Sequence, residues 1–209
     1  MARFELNKSD KFVLTKGDDL SKIRVDLAWK SGADLDASAF LLGEDGVILE
    51  DADFVFYGSK FRSEPYNPAV HGSKRVWRNS TVPMSGDGAV LGSADDLGDG
   101  DDDGDDAVET MHVDLDKVRP AVTEIVFCVT IYCKNGYVSS FKDVRDASIT
   151  IINEETGEEL CSYNLKEKFS TETAVVVGAL VLNEDGEWEF EARGKAYDGG
   201  LQTLVDMYT

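Results

Sequence analysis

Between residues 98 and 109 the chain reads GDGDDDGDDAVE, setting Asp99, Asp101, Asp103, Asp105, Asp106 and Glu109 in one glycine-broken run without a cation. Eight aspartates fall between Asp95 and Asp106. Carboxylates this close repel one another, so the run is either a solvated acidic spacer or a set of ligands for a positive ion. Ca²⁺ takes about six to eight oxygen ligands, and carboxylates at alternate positions of a tight loop converge on one ion. Asp99, Asp101 and Asp103 have that spacing, and Gly104 follows them as in the D-x-D-x-D-G opening of a calcium loop. The EF-hand pattern then wants a glutamate at about the twelfth position. Thr110 stands there, Glu109 comes one residue early, and no helical pattern flanks the loop. The sequence argues against an EF-hand while leaving its ligand chemistry open to a β scaffold.

A second acidic pair lies in GADLDASAFLL. In an extended strand Asp34, Asp36 and Ser38 project to one face, with Leu35, Ala37 and Ala39 on the other. Two carboxylates on one strand face require water or a cation beside them. Clustered carboxylates on a flexible loop suit Ca²⁺ better than the octahedral, hydrated Mg²⁺, and an all-oxygen set disfavours zinc. Hydrolysis of a phosphate ester by carboxylate-held Mg²⁺ or Mn²⁺ is the catalytic alternative. Against it, the chain has two histidines, His71 and His112, no G-x-S-x-G and no P-loop. The chain therefore reads as a non-enzyme.

The elements that must carry these residues are short apolar runs: KIRVDLAW, DLDASAFLL, DFVFY, TEIVFCVTIY, ASITII, TAVVVGALV and EWEFEAR. In the first, Ile23, Val25, Leu27 and Trp29 share one face and Lys22, Arg24 and Asp26 the other, as a sheet with one wet side requires. Turn signals separate the runs at Glu44-Asp45-Gly46, Lys134-Asn135-Gly136, Glu155-Thr156-Gly157 and Glu184-Asp185-Gly186. This pattern predicts an all-β fold, an antiparallel β-sandwich, built as one domain over residues 1–209. Only GGLQTLVDMY is helical, with Leu201, Leu204, Val205 and Tyr208 on one side, giving a short C-terminal helix. Residues 58–88 break the pattern as a long insertion loop. They hold Pro65, Pro68 and Pro83 with Lys60, Arg62, Lys74, Arg75 and Arg78. This basic insertion is either a docking arm facing the acidic surface or a hairpin extension with solvated charges.

The 41 acidic and 21 basic residues give a formal charge of -20, which opposes direct binding to nucleic acid. The N-terminus lacks an apolar signal region and no stretch is long enough to span a bilayer, so the expected location is the cytoplasm. Cys128, Cys133 and Cys161 form no C-x-x-C pair and read as buried free thiols.

DLDASAFLLGEDGVILEDADFVFY resembles the TerD family of tellurite-resistance and stress proteins, whose members carry D-[LFV]-D-A-S-A-F-L-L followed closely by D-F-[VI]-F-Y. LTKGDDL is similar to the family's L-x-K-G opening, and STETAVVVGALVLNEDGEWEFEARGKAYDGGLQTLV follows its T-E-T-A, G-E-W and G-G-L landmarks in order. The acidic stretch resembles the family's G-D-N-x-T-G-x-G-D-G-D-D-E, with the two extra residues falling either at Asp102-Asp103 or at Ala107-Val108. The resemblance implies a β-sandwich, calcium held by the acidic loops, and roles in resistance to tellurite, other chemical stress and phage. It makes Asp34, Asp36, Asp99, Asp101, Asp103, Asp105, Asp106 and Glu109 the candidate ligands. With calcium bound, the chain reads first as a Ca²⁺-dependent interaction module whose partner is a protein, alone or in a membrane-associated complex; structural stabilisation by Ca²⁺ alone is the other reading. Lys30 after Trp29, Gly178-Ala179-Leu180, Gly194-Lys195-Ala196, Ala94-Asp95-Asp96 and the long insertion depart from the family pattern and mark a divergent member.

Overall fold

The computed structural model describes residues 4–14, 20–30, 34–64, 81–93, 106–132, 140–166 and 169–209. Their twelve strands are β1 (Phe4–Leu6), β2 (Lys11–Val13), β3 (Lys22–Lys30), β4 (Asp34–Leu42), β5 (Phe54–Val55) and β6 (Val90–Leu91), followed by β7 (Asp106–Asp114), β8 (Glu124–Tyr132), β9 (Arg145–Asn153), β10 (Glu159–Asn164), β11 (Ala174–Leu182) and β12 (Trp188–Tyr197). One helix, α1 (Gly200–Tyr208), closes the chain. The strands form two six-stranded sheets, β1-β10-β9-β3-β7-β6 and β2-β12-β11-β8-β4-β5. Every pairing is antiparallel except β1 with β10, which is parallel. The expected all-β sandwich and terminal helix are both present.

Alternation in the sequence explains the layers. Ile23, Val25, Leu27 and Trp29 of β3 enter one core with Leu35, Ala37, Ala39 and Leu41 of β4. Phe40 and Leu42 face the opposite side of β4, where Cys128, Val176 and Leu204 of α1 make a second apolar layer. Fully burying a side chain of this size contributes about 1.5–3 kcal/mol, so the helix is held by its one apolar stripe. The inner-face pattern in β11 shifts from Val175 and Val177 to Leu180 because a bulge interrupts the register between Val176 and Gly178. A Cβ at Gly178 would sit 2.5 Å from Phe190 Cζ and 2.9 Å from the Glu191 carbonyl oxygen, so only glycine lets β11 and β12 close there.

Several strands are weak in the sequence. β1, β2 and β6 are only two or three residues long, and β10 has no long apolar run. β7 conceals its alternation because Glu109 occupies the core-facing row that continues through Met111 and Val113. β12 runs through Gly194 to Tyr197, beyond the EWEFEAR segment. The turns at Gly46, Gly157 and Gly186 take positive φ of 77°, 73° and 76°, as their residue types require. Lys134-Asn135-Gly136 lies outside the described residues.

At the base of the 58–88 insertion the two arms pair with each other. Arg62 bridges Pro83, and the Ser63 amide donates to the Val82 carbonyl at 2.9 Å. The Arg62 guanidinium donates to Thr81 Oγ1 and to the Thr81 carbonyl, both at 2.9 Å. It also reaches the Tyr57 carbonyl at 3.1 Å. This cation closes the stem of the insertion. Lys74, Arg75 and Arg78 lie outside the described residues.

Candidate metal centre

Lys30 ends β3 and pairs with Asp106 at the start of β7, while residues 31–33 join Lys30 to Asp34 at the start of β4. Four peptide steps span at most about 14 Å, so the strand starts carrying Asp34 and Asp106 share one end of the sandwich. Asp34 and Asp36 pair with Tyr132 and Thr130 of β8, and Asp36 occupies the strand face opposite the Leu35 and Ala37 row. Ser93 is the last described residue before the acidic run and Asp106 the first after it.

Beyond the pairing of Ala39 with Val55, β5 no longer covers the edge of β4. Glu109 fills that place. It projects from the core-facing side of β7, and its Oε2 accepts the Ala37 amide N–H at 2.8 Å, 72 residues away and in the other sheet. Asp36, Tyr57, Ser93 and Glu109 line a crevice of about 10 Å³ together with Ala37, Phe56, Pro83 and Gly92. That space suits one water molecule or one ion. Tyr57 reaches it at the end of a run of rings: Tyr208, Phe40, Phe54, Phe56 and Tyr57 follow with centroid spacings of 4.9, 4.4, 4.3 and 5.4 Å.

Of the eight candidate ligands, the structure thus brings Asp36 and Glu109 into one crevice and places the backbone of Asp34 and Asp106 at the same end of the fold. Asp99, Asp101, Asp103 and Asp105 lie outside the described residues. The donors at the crevice are all hard oxygens, the class that Ca²⁺ prefers. No group of three or more His, Cys, Asp or Glu among the described residues holds a metal unaided. Among the described residues Asp36 and Glu109 bring two carboxylates to the crevice, fewer oxygen ligands than the about six to eight that Ca²⁺ takes. Lys30 places its ammonium 3.7 Å from Asp146 Oδ2.

Other titratable groups are engaged elsewhere. Asp53 is fully buried, and its carboxylate takes both oxygens to Arg119 Nη2 at 2.5 and 2.6 Å. It also accepts the amides of Leu49 and Glu50 at 3.1 Å. Burial pushes its pKa up while Arg119 and the two amides pull it back. Arg119 binds Glu50 at 2.6 Å as well, and its own amide donates to Asp87 at 3.1 Å. These contacts tie the β4–β5 connection to the segments before β6 and β8, a network with no signature in the sequence because its members lie up to 69 residues apart. His112 Nδ1 lies 2.6 Å from Glu154. The thiols of Cys128 and Cys161 are free and buried, and burial pushes both pKa values up, that of Cys161 to about 12. Cys133 and His71 lie outside the described residues. A hollow of about 280 Å³ lies among Phe141, Lys142, Val144, Asp146, Leu165 and Phe169.

Two sheets closed by a terminal helix, with acidic strand ends gathered at one pole, define a β-sandwich with a candidate oxygen-ligand site at its end. The chain belongs to the TerD domain family, whose model matches residues 1–208. It is 36% identical to General stress protein 16U of Bacillus subtilis (strain 168), covering 97% of this chain and 95% of that protein. To Tellurium resistance protein TerD of Serratia marcescens it is 34% identical, again over 97% and 95% of the two chains. The fold matches the crystal structure of a homologue of telluride resistance protein (TerD) from Streptomyces coelicolor A3(2) with a TM-score of 0.61 and 20% identity, over 89% of this chain and 95% of that one. Among the described residues no helix is long and apolar enough to cross a membrane.

Proposed function

We propose that this protein binds Ca²⁺ at the acidic pole and acts in the cytoplasm, in tellurite and stress resistance, as a Ca²⁺-dependent interaction module with a protein partner. The observation that carries this reading is the meeting of Asp36 and Glu109, from opposite sheets, at a crevice of ion size, with Ser93 on its wall. Ser93 and Asp106 bound residues 94–105, which contain seven aspartates. Asp36 and the loop aspartates would hold the ion, with Asp34 and Asp106 at the strand starts beside it. A bound ion replaces mutual repulsion with attraction and orders the segment that contributes the ligands, which is how an ion biases a two-state surface. Tellurite itself is an anion and is opposed by the charge of -20, so the resistance is indirect. Burial raises the pKa values of Cys128 and Cys161, so both thiols stay protonated and poorly nucleophilic.

The position of the crevice between β4 and β7 supports a second reading, an ion that staples the two sheets without signalling. Calorimetric titration of chelator-stripped protein with Ca²⁺ and then Mg²⁺ tests both. Ca²⁺ uptake should weaken about tenfold or more in Asp36→Asn and in the double variant Asp101→Asn/Asp105→Asn. Unchanged heats in those variants remove the site. A Ca²⁺-dependent change in oligomer size or partner capture supports the module; a melting shift without either supports the staple.

A further inference from the structure

We propose that Glu109 is a positioning residue for the Ca²⁺ site, a latch that sets the backbone of β4 around Asp36, and that its service to the ion does not depend on its charge. This rests on the calcium reading above. Three observations carry it. Glu109 stands in the row of β7 that continues into the core through Met111 and Val113, so its side chain is directed into the gap between sheets. Its Oε2 accepts the Ala37 N–H at 2.8 Å, at the stretch of β4 where β5 has ended. Ala37 lies directly between Asp36, which lines the crevice, and Ser38, which is 1% exposed. A strand edge without a neighbour frays, and a carboxylate bonded to its amide replaces the missing strand. Partners that orient a metal ligand are typically worth about 10–100-fold in affinity, whereas a ligand carboxylate contributes its charge directly.

The two roles separate by substitution. Glu109→Gln keeps an oxygen that can accept the Ala37 N–H but loses the charge; Glu109→Ala loses both. Two readouts on the full chain decide: hydrogen exchange of the Ala37 amide in Ca²⁺-free protein, and Ca²⁺ affinity by calorimetry. A latch leaves Ala37 protected in the wild type and in Glu109→Gln, and speeds its exchange about tenfold or more in Glu109→Ala. Affinity should then stay within about threefold of wild type in Glu109→Gln and fall about tenfold or more in Glu109→Ala. Equal Ala37 exchange in all three proteins overturns the latch. Retained protection with affinity as poor in Glu109→Gln as in Glu109→Ala overturns the positioning role and makes Glu109 a direct ligand. If the wild type takes up no Ca²⁺ while Ala37 exchange still follows the substitution, the calcium reading fails and the role toward the ion falls with it, but the latch between the sheets stands.

Discussion

Replacing Arg119 with leucine leaves the Asp53 carboxylate buried with the Leu49 and Glu50 amides as its remaining partners of those described above. Breaking a buried ion pair from one side costs about 3–5 kcal/mol, because the charge left behind is uncompensated. Two amide bonds survive, and the Arg119 side chain is 31% exposed so that water replaces part of it. The expected loss is therefore at the low end, about 3 kcal/mol. For a chain of this length that lowers Tm by about 6–12 °C. The sign with pH follows from the buried acid. Without the guanidinium its pKa rises further above the unfolded value, so the deficit is full above that raised pKa and disappears as pH falls toward about 4. Adding Asp53→Asn removes the charge, and the double variant should be at least as stable as Arg119→Leu alone. Thermal unfolding followed by circular dichroism at pH 7 and pH 4 checks each point. A loss under about 0.5 kcal/mol for Arg119→Leu, or a further full drop on adding Asp53→Asn, refutes the reasoning.

At the β11 bulge, Gly178→Ala should cost about 1–3 kcal/mol by overpacking against Phe190, and its effect should be less than additive with Phe190→Leu in urea unfolding. The Ser170 amide, bonded at 2.5 Å, holds the exposed Glu172 carboxyl below its ordinary value. Its contribution to stability is present above the unfolded pKa of about 4.3 and is lost as pH falls through the lower folded pKa, so Glu172→Gln should flatten the acid limb of the stability curve. If Ca²⁺ binds at the acidic pole, free ion at about 100 times Kd adds about 2.7 kcal/mol and raises Tm by about 5–11 °C, an increase that a chelator reverses and Asp36→Asn reduces. Scanning calorimetry with and without chelator reads this directly.

The alternation in β3 and β4, the Gly-bearing turns and the helical spacing of Leu201, Leu204, Val205 and Tyr208 are local patterns, and each is legible because period and residue type act within one element. The same alternation separates Asp36 from the Leu35 and Ala37 row before any fold is known. It cannot say which strand lies across the sandwich. That Glu109 reaches the Ala37 amide depends on β4 and β7 facing each other over 72 residues of intervening chain. The Arg119 network with Asp53, Glu50 and Asp87 depends on connections meeting in space, and the same charges read in sequence are scattered along the chain with no sign that they meet. Glu109 also hid β7, because a carboxylate in a core-facing row defeats a pattern built on burial. Sequence by itself determined the strands with clean alternation, the acidic run and the family, all carried by neighbours along the chain. Tertiary structure alone decided which acids meet and which are held by arginine, since sheet packing sets those distances.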